Sequence, residues 1–377
     1  MTINSAPAAT GWTLGGGQLL YLGTSSATLS DGGSARPITV NASGGTLGAA
    51  GGNFSFLSIP GVISGAGQVQ FGGGTQSNAT GNVNLNNPAA NTYTGGTLIS
   101  PGVLAISNPS QLGSGPILLN GGTLRASAAL AFATPLTAVQ DSTLDLSTSN
   151  VTLSAGISGS AGASGTAATS LVFTTAGSSA FTLDGDSTFA GTLNLRSGLT
   201  VLRGTLSAAS AITTDSTFRL GISDGIHDRA ALTFTSGALE TQGFSDTLGT
   251  LTIASSTFGT FIDLGTGPSI LRFAASQAQP WTGTLSITNW SGLTAGGGTD
   301  QLFFGFDATG LTAGQLAAIA FLNPAGFAPG TYPAFLRSTG ELVAVVPEPG
   351  TTALLLGCFA LLGLRRAGLT RGRPSSR

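Results

Sequence analysis

Short apolar stretches alternate with Thr, Ser and Asn along most of this chain, and Gly-rich breaks separate them. Leu144 and Leu146 are followed by Val151 and Leu153, and the same two-residue period recurs in Leu193 with Leu195 and in Leu232 with Phe234. A period of two places one row of side chains on each face of a strand. The breaks are short and rich in Gly, which supplies the positive φ of a tight corner. The pattern therefore predicts many short strands, each turned into the next by a Gly corner, with the Leu, Val, Ile and Phe rows facing inward.

The corners recur. The tripeptide Gly-Thr-Leu begins at Gly45, Gly96, Gly122, Gly191, Gly204, Gly249 and Gly283. Gly-Gly pairs at Gly51, Gly72, Gly95 and Gly121 lie 21, 23 and 26 residues apart, the length of one coil of a solenoid. A single coil cannot bury its inward row, so coils must stack into a column. The expected fold is all-β: a parallel β-helix, or β-solenoid, over residues 1–280. From Trp281 the character changes. Trp281 to Trp290, Gln301 to Phe306, Tyr332 to Leu336 and Glu341 to Val346 read as strands. Thr312 and Gln315 have the spacing of a helix capping box. Residues 281–345 are expected to form a small β-rich module with one short helix that caps the column.

Composition narrows the picture. Only 7% of the 377 residues are charged, 59 are Gly and none is Lys. A helical protein held in solution by charged side chains is excluded, since each Gly in a helix costs about 1 kcal/mol against Ala. The net charge of −2 divides unevenly: 8 Arg against 15 acids before Arg365, then five Arg from Arg365 onward. An acidic body without Lys argues against nucleic-acid binding. The positive cluster follows an apolar stretch from Thr351 to Leu364, as on the cytoplasmic flank of a membrane helix. That stretch has 14 residues, fewer than the roughly 20 of an untilted span, so residues upstream and snorkelling Arg side chains are expected to complete it. Residues 1–25 lack the positive and apolar regions of a secretory signal, which leads us to expect either that the true start lies upstream or that the chain is a fragment.

Two segments carry resemblances. Asn91-Thr-Tyr-Thr-Gly-Gly-Thr-Leu98, then Gly102-Val-Leu104, Leu112-Gly-Ser-Gly115 and Leu119-Asn-Gly-Gly-Thr-Leu124, resemble the autotransporter-associated β-strand repeat over 91–125. The resemblance implies a parallel β-helix in a surface-exposed or secreted protein and no catalytic residue. Val346-Pro347-Glu348-Pro349, the apolar stretch and Arg365-Arg366 resemble the PEP-CTERM sorting domain over 346–377. That resemblance implies an exosortase-type processing enzyme as partner, a C-terminal transmembrane helix as transient anchor, and export to the cell envelope, surface or extracellular matrix. The tail is then substrate rather than catalyst.

Candidate chemistry in the body is sparse. Asp184 and Asp186 could share one strand face as paired carboxylates do, but Leu-Asp-Gly-Asp-Ser also reads as a polar turn. Asp224, His227 and Asp228 surround the only His and could suggest acid–base or metal chemistry; their Gly flanks read as an exposed loop. Gly221-Ile-Ser-Asp-Gly225 matches the nucleophile-elbow pattern without its strand–turn–helix setting. Trp12, Trp281 and Trp290 could stack on sugars, or pack core and edge. We therefore expect no catalytic residue, metal or cofactor. The expected function is a non-enzymatic exported surface or matrix protein, with extracellular polysaccharide as a candidate partner; the alternative is a carbohydrate-active β-helix enzyme.

Overall fold

The structure, a computed structural model, describes residues 11–345 apart from 23–24, 32, 50–55, 73–80, 147–148, 160–168, 178 and 255–258. The sorting-tail residues Val346, Pro347, Glu348, Pro349, Arg365 and Arg366, and the expected transmembrane helix, lie outside them. Among the described residues no helix is long and apolar enough to cross a membrane.

The chain winds as a β-solenoid of about eleven turns with three faces, and its strands pair in parallel between successive coils. Face 1 begins with Trp12–Leu14, Ile38–Val40 and Ile63–Gly65, and resumes from Leu130–Phe132 through Ile319–Leu322. Face 2 runs from Gln18–Tyr21 to Ile157–Gly159 in seven strands, and resumes with Asp246–Leu248, Ile270–Phe273 and Gln301–Phe304. Face 3 is unbroken, with eleven strands from Ala27–Thr28 to Leu251–Ile253. Coil length follows from the register: Val103 lies beside Thr123, and Thr123 beside Thr143.

The inward rows are those the alternation predicts. Leu144, Leu146, Val151, Leu153, Leu193, Leu195, Leu232 and Phe234 are all buried. They stack in register, as in Leu171, Leu193, Ile212, Leu232 and Leu251 on face 3. Each fully buried Leu or Ile in such a row contributes roughly 1.5–3 kcal/mol. Rows from adjacent faces meet in the middle, where Phe173 of face 3 stacks on Phe181 of face 1 with ring centroids 4.8 Å apart.

The Gly-Thr-Leu tripeptide turns a corner into a strand, as its sequence suggests, but not at one fixed corner of the coil. It opens a strand on face 2 at Thr97–Ile99, on face 3 at Thr123–Ala126 and Thr192–Arg196, and on face 1 at Leu285–Thr288. The Gly-Gly pairs likewise occupy two different corners: Gly96 precedes a face 2 strand and Gly121 follows one. The motif marks a corner followed by a strand, and any of the three corners can use it.

The parallel column passes Trp281 without a break. Leu285–Thr288 pairs with both Thr260–Asp263 and Ile319–Leu322. The helix Ala313–Ala317 sits between the last strands, and its capping box is formed by Thr312 and Gln315. Pairing turns antiparallel at Thr331–Leu336, which lies against Ile319–Leu322 and then against Glu341–Ala344. Glu341–Ala344 in turn pairs with Gln301–Phe304, the last strand of face 2. This closing hairpin spans from face 1 to face 2 across the end of the column, so those strand edges find partners within the chain.

Candidate functional site

Asp184-Gly185-Asp186 is a coil corner. Backbones of three successive coils approach here through Gly156, Gly185 and Gly204. A Cβ on Gly185 would stand 2.1 Å from the Gly156 amide nitrogen, and one on Gly204 would stand 2.5 Å from Gly185. The two carboxylates flank this contact and turn to different partners. Asp186 accepts from the amide and hydroxyl of Thr205, both at 3.0 Å. Asp184 lies 3.8 Å from Arg203 in an exposed ion pair. Both acids tie one coil to the next.

The segment 221–230 holds the other candidates. Asp224 is exposed at a positive φ of 53°. Its amide, and not its carboxylate, makes the link to Ser245 O. His227 Nδ1 accepts from the Arg229 amide at 3.3 Å, which turns the ring toward its own loop. Asp228 is exposed. Ser223 Oγ accepts from the Ser245 amide at 3.1 Å, and the next element after it is the strand Ala231–Phe234. Among the described residues no three His, Cys, Asp or Glu side chains stand close enough to hold a metal ion.

The three Trp residues each have their own partners. Trp12 pairs with Ile38 in the first coil. Trp281 donates to Leu251 O at 3.0 Å, and Trp290 is buried against Phe321, 5.0 Å away.

The least expected carboxylate is Asp246, which is 2% exposed. Its Oδ2 accepts from the amides of Gly225 and Ile226 at 3.0 and 3.1 Å, while Oδ1 has no partner. Burial pushes its pKa up to about 7; the backbone amides of Ile226, Gly225 and Thr247 oppose that shift, and the nearby charge of Asp224 adds to it. A strand alternation isolates Asp246 only by its neighbour Leu248, a weak signal in sequence.

Asp246 belongs to a set of side chains that stand in for backbone ladder. On face 2, Ser187 Oγ accepts from Ile157 N at 3.0 Å. Asp300 accepts from Ser269 N at 3.0 Å, and from the amide and hydroxyl of Ser291 at 2.8 and 2.6 Å. In the repeat segment Asn91 Oδ1 accepts from Ile63 N at 2.8 Å, and its amide donates to Gln111 O at 2.6 Å. Thr97 donates to Leu112 O at 2.8 Å, so the buried Tyr93 hydroxyl donates to Thr97 at 2.5 Å. Burial raises the Tyr93 pKa well above the usual phenol range. A second capping box, Asn108 with Gln111, starts a short 3-10 turn here. The Asn, Tyr and Thr of this repeat therefore hold face 1 together where it lacks a strand.

Comparison with known proteins gives one relative of note. The adhesin BmaC autotransporter of Brucella suis biovar 1 (strain 1330) is 33% identical over 174 residues, which are 44% of this chain and 5% of that protein. The chain thus aligns with a small part of a much longer polypeptide. No family model matches the chain, and no solved structure matches it significantly.

Proposed function

We propose that this chain is an exported, non-enzymatic surface or extracellular-matrix protein. Its solenoid is a rigid column for display or adhesion, sorted through the Val346 to Pro349 motif, the apolar stretch and Arg365-Arg366. The observation that carries this reading is the use of the body's polar groups inside the column. Ser187, Asp246, Asp300 and Asn91 each hold a backbone amide of another coil or loop. Outer charges pair across adjacent coils, Arg125 with Asp145 at 2.7 Å and Arg219 with Glu240 at 2.6 Å. Similarity to an adhesin supports surface exposure.

The partners of this reading are an exosortase-type enzyme, the membrane through the C-terminal segment, and extracellular polysaccharide; nucleic acid is not among them. The carbohydrate-active alternative requires carboxylates converging on one groove with an Arg, and Asp184 and Asp186 instead keep to Arg203 and Thr205.

The test is localisation of the full-length protein in cells with and without the processing enzyme. We expect accumulation of an unprocessed, membrane-bound form when the enzyme is absent. Replacing Pro347→Ala together with Glu348→Ala should give the same accumulation. Normal maturation of that double variant would end the sorting reading. Turnover of a neutral or acidic polysaccharide by the purified chain would end the non-enzymatic one.

A further inference from the structure

Five large apolar side chains are exposed among the described residues: Leu22, Phe261, Leu293, Phe306 and Phe335. Three of the five border the closing hairpin. Phe335 lies in it, opposite Val343, on the side away from the buried Leu336 and Leu342. Phe306 abuts its turn, where a Cβ on Gly340 would stand 3.1 Å from Phe306 N. Leu293 rides on a Gly-rich loop fixed to the hairpin: Glu341 Oε1 accepts from Gly297 N at 2.7 Å, and Arg337 donates to Thr294 O at 3.1 Å. Phe306 is 92% exposed, beyond any packing role.

The chain leaves this hairpin at Val345, whose amide donates to Pro333 O at 3.1 Å. The apolar stretch starts at Thr351, so the connection can reach no more than about 20 Å. With the tail in a bilayer, the Val345 end of the hairpin is held within about 20 Å of the membrane surface. We infer that Leu293, Phe306 and Phe335 form a lipid contact that seats the capped end of the solenoid on the membrane surface. This inference rests on the anchoring role proposed above for the tail.

Phe and Leu side chains presented from a polar surround bury shallowly at the boundary between headgroups and acyl chains. Arg337 and Glu341 already serve the loop, and Asp307, beside Phe306, binds its own Thr309 at 2.6 Å and stays on the wet side. A second copy fits less well. Three side chains, at most about 250 Å² each when fully buried, fall short of the roughly 800 Å² per partner of a stable interface once their partial exposure is counted.

The experiment uses the full chain carrying Cys358→Ser, so that a thiol label reports one site. Phe306→Cys and, as control, Phe261→Cys are each labelled with an environment-sensitive fluorophore and reconstituted in phosphatidylcholine vesicles. Both side chains are outward, so neither change touches the core. We expect iodide quenching at 306 to fall at least fivefold relative to 261, with a blue shift at 306 only. Equal quenching at the two sites, in vesicles that carry the chain, would overturn the contact while leaving the anchor intact. Failure of the chain to float with the vesicles would remove the anchoring role and the contact with it. Protection at 306 that rises with protein density at fixed lipid would assign the patch to a second copy and overturn the lipid contact.

Discussion

From Ser170–Thr174 to Leu251–Ile253 face 3 has a strand in every coil, whereas face 2 has none between Ile157–Gly159 and Asp246–Leu248. In that interval face 2 makes single bridges at Ser187, Leu206 and Ile226. On face 3 the backbone of one coil satisfies the backbone of the next, and side chains are free to form apolar rows. On face 2 the ladder is thin, and Ser187, Asp186 and Asp246 supply the missing acceptors. Tight Gly contacts at Gly156, Gly185 and Gly204 bring those backbones close enough for such short side chains to reach. A β-solenoid thus tolerates the loss of a strand column where polar side chains and Gly corners replace it together.

The comparison can be broken most forcefully at the corner. Gly185→Val places a branched side chain against the Gly156 backbone, only 2.1 Å from where its Cβ would be, and neither backbone can yield. We expect no soluble folded protein on expression, whereas Gly177→Val, at a position with open space around it, should retain fold at the cost of local φ strain. On face 3 the large effect comes from the apolar row instead. Leu193→Ala should destabilise by roughly 2–5 kcal/mol in chemical denaturation, since Leu193 is 2% exposed between Leu171 and Ile212.

The replacement acceptors can be read by pH. Asp246 is held at about 7 against an ordinary value of 3.8. The folded state therefore binds its proton more tightly than the unfolded chain does. Its contribution is fully present below about pH 4 and is lost as pH rises through about 7. Stability should fall by roughly 2–4 kcal/mol over that window. Asp246→Asn keeps an acceptor for Gly225 and Ile226 without a titrating group, and should flatten that slope in denaturation curves taken from pH 4 to 8. Ser187→Ala leaves the buried Ile157 amide without its acceptor and should cost roughly 1–3 kcal/mol. The smallest effect belongs to the outer surface of face 3. Arg125→Ala breaks a partly exposed pair with Asp145 and should cost under about 1 kcal/mol, less at high salt.

Much of the column was legible without coordinates. Alternation at Leu144 to Leu153 and at Leu193 to Phe234 marks its rows because a strand's two faces have unequal neighbours. Thr312 with Gln315 marks its helix because a capping box is wholly local. Other features were not legible. Asp246 looks like any strand-end acid until Gly225 and Ile226 of the preceding coil arrive beside it. The boundary drawn at Trp281 reflects a change in aromatic content, while the change in pairing comes at Thr331, where the hairpin sets Tyr332 beside Phe321 and Leu342 beside Leu302.

What the sequence determined by itself is local: strands with a two-residue period, Gly corners, the Thr312–Gln315 capping box, the acidic Lys-free body and the Pro-Glu-Pro segment with its basic end. These depend on neighbours a few residues away. Which face each strand joins, which amides Ser187 and Asp246 satisfy, and which aromatic side chains stay exposed around the closing hairpin were decided only by the stacking of coils. Those contacts join residues about 20 to 30 positions apart, and coils of unequal length change the partner of every residue that follows.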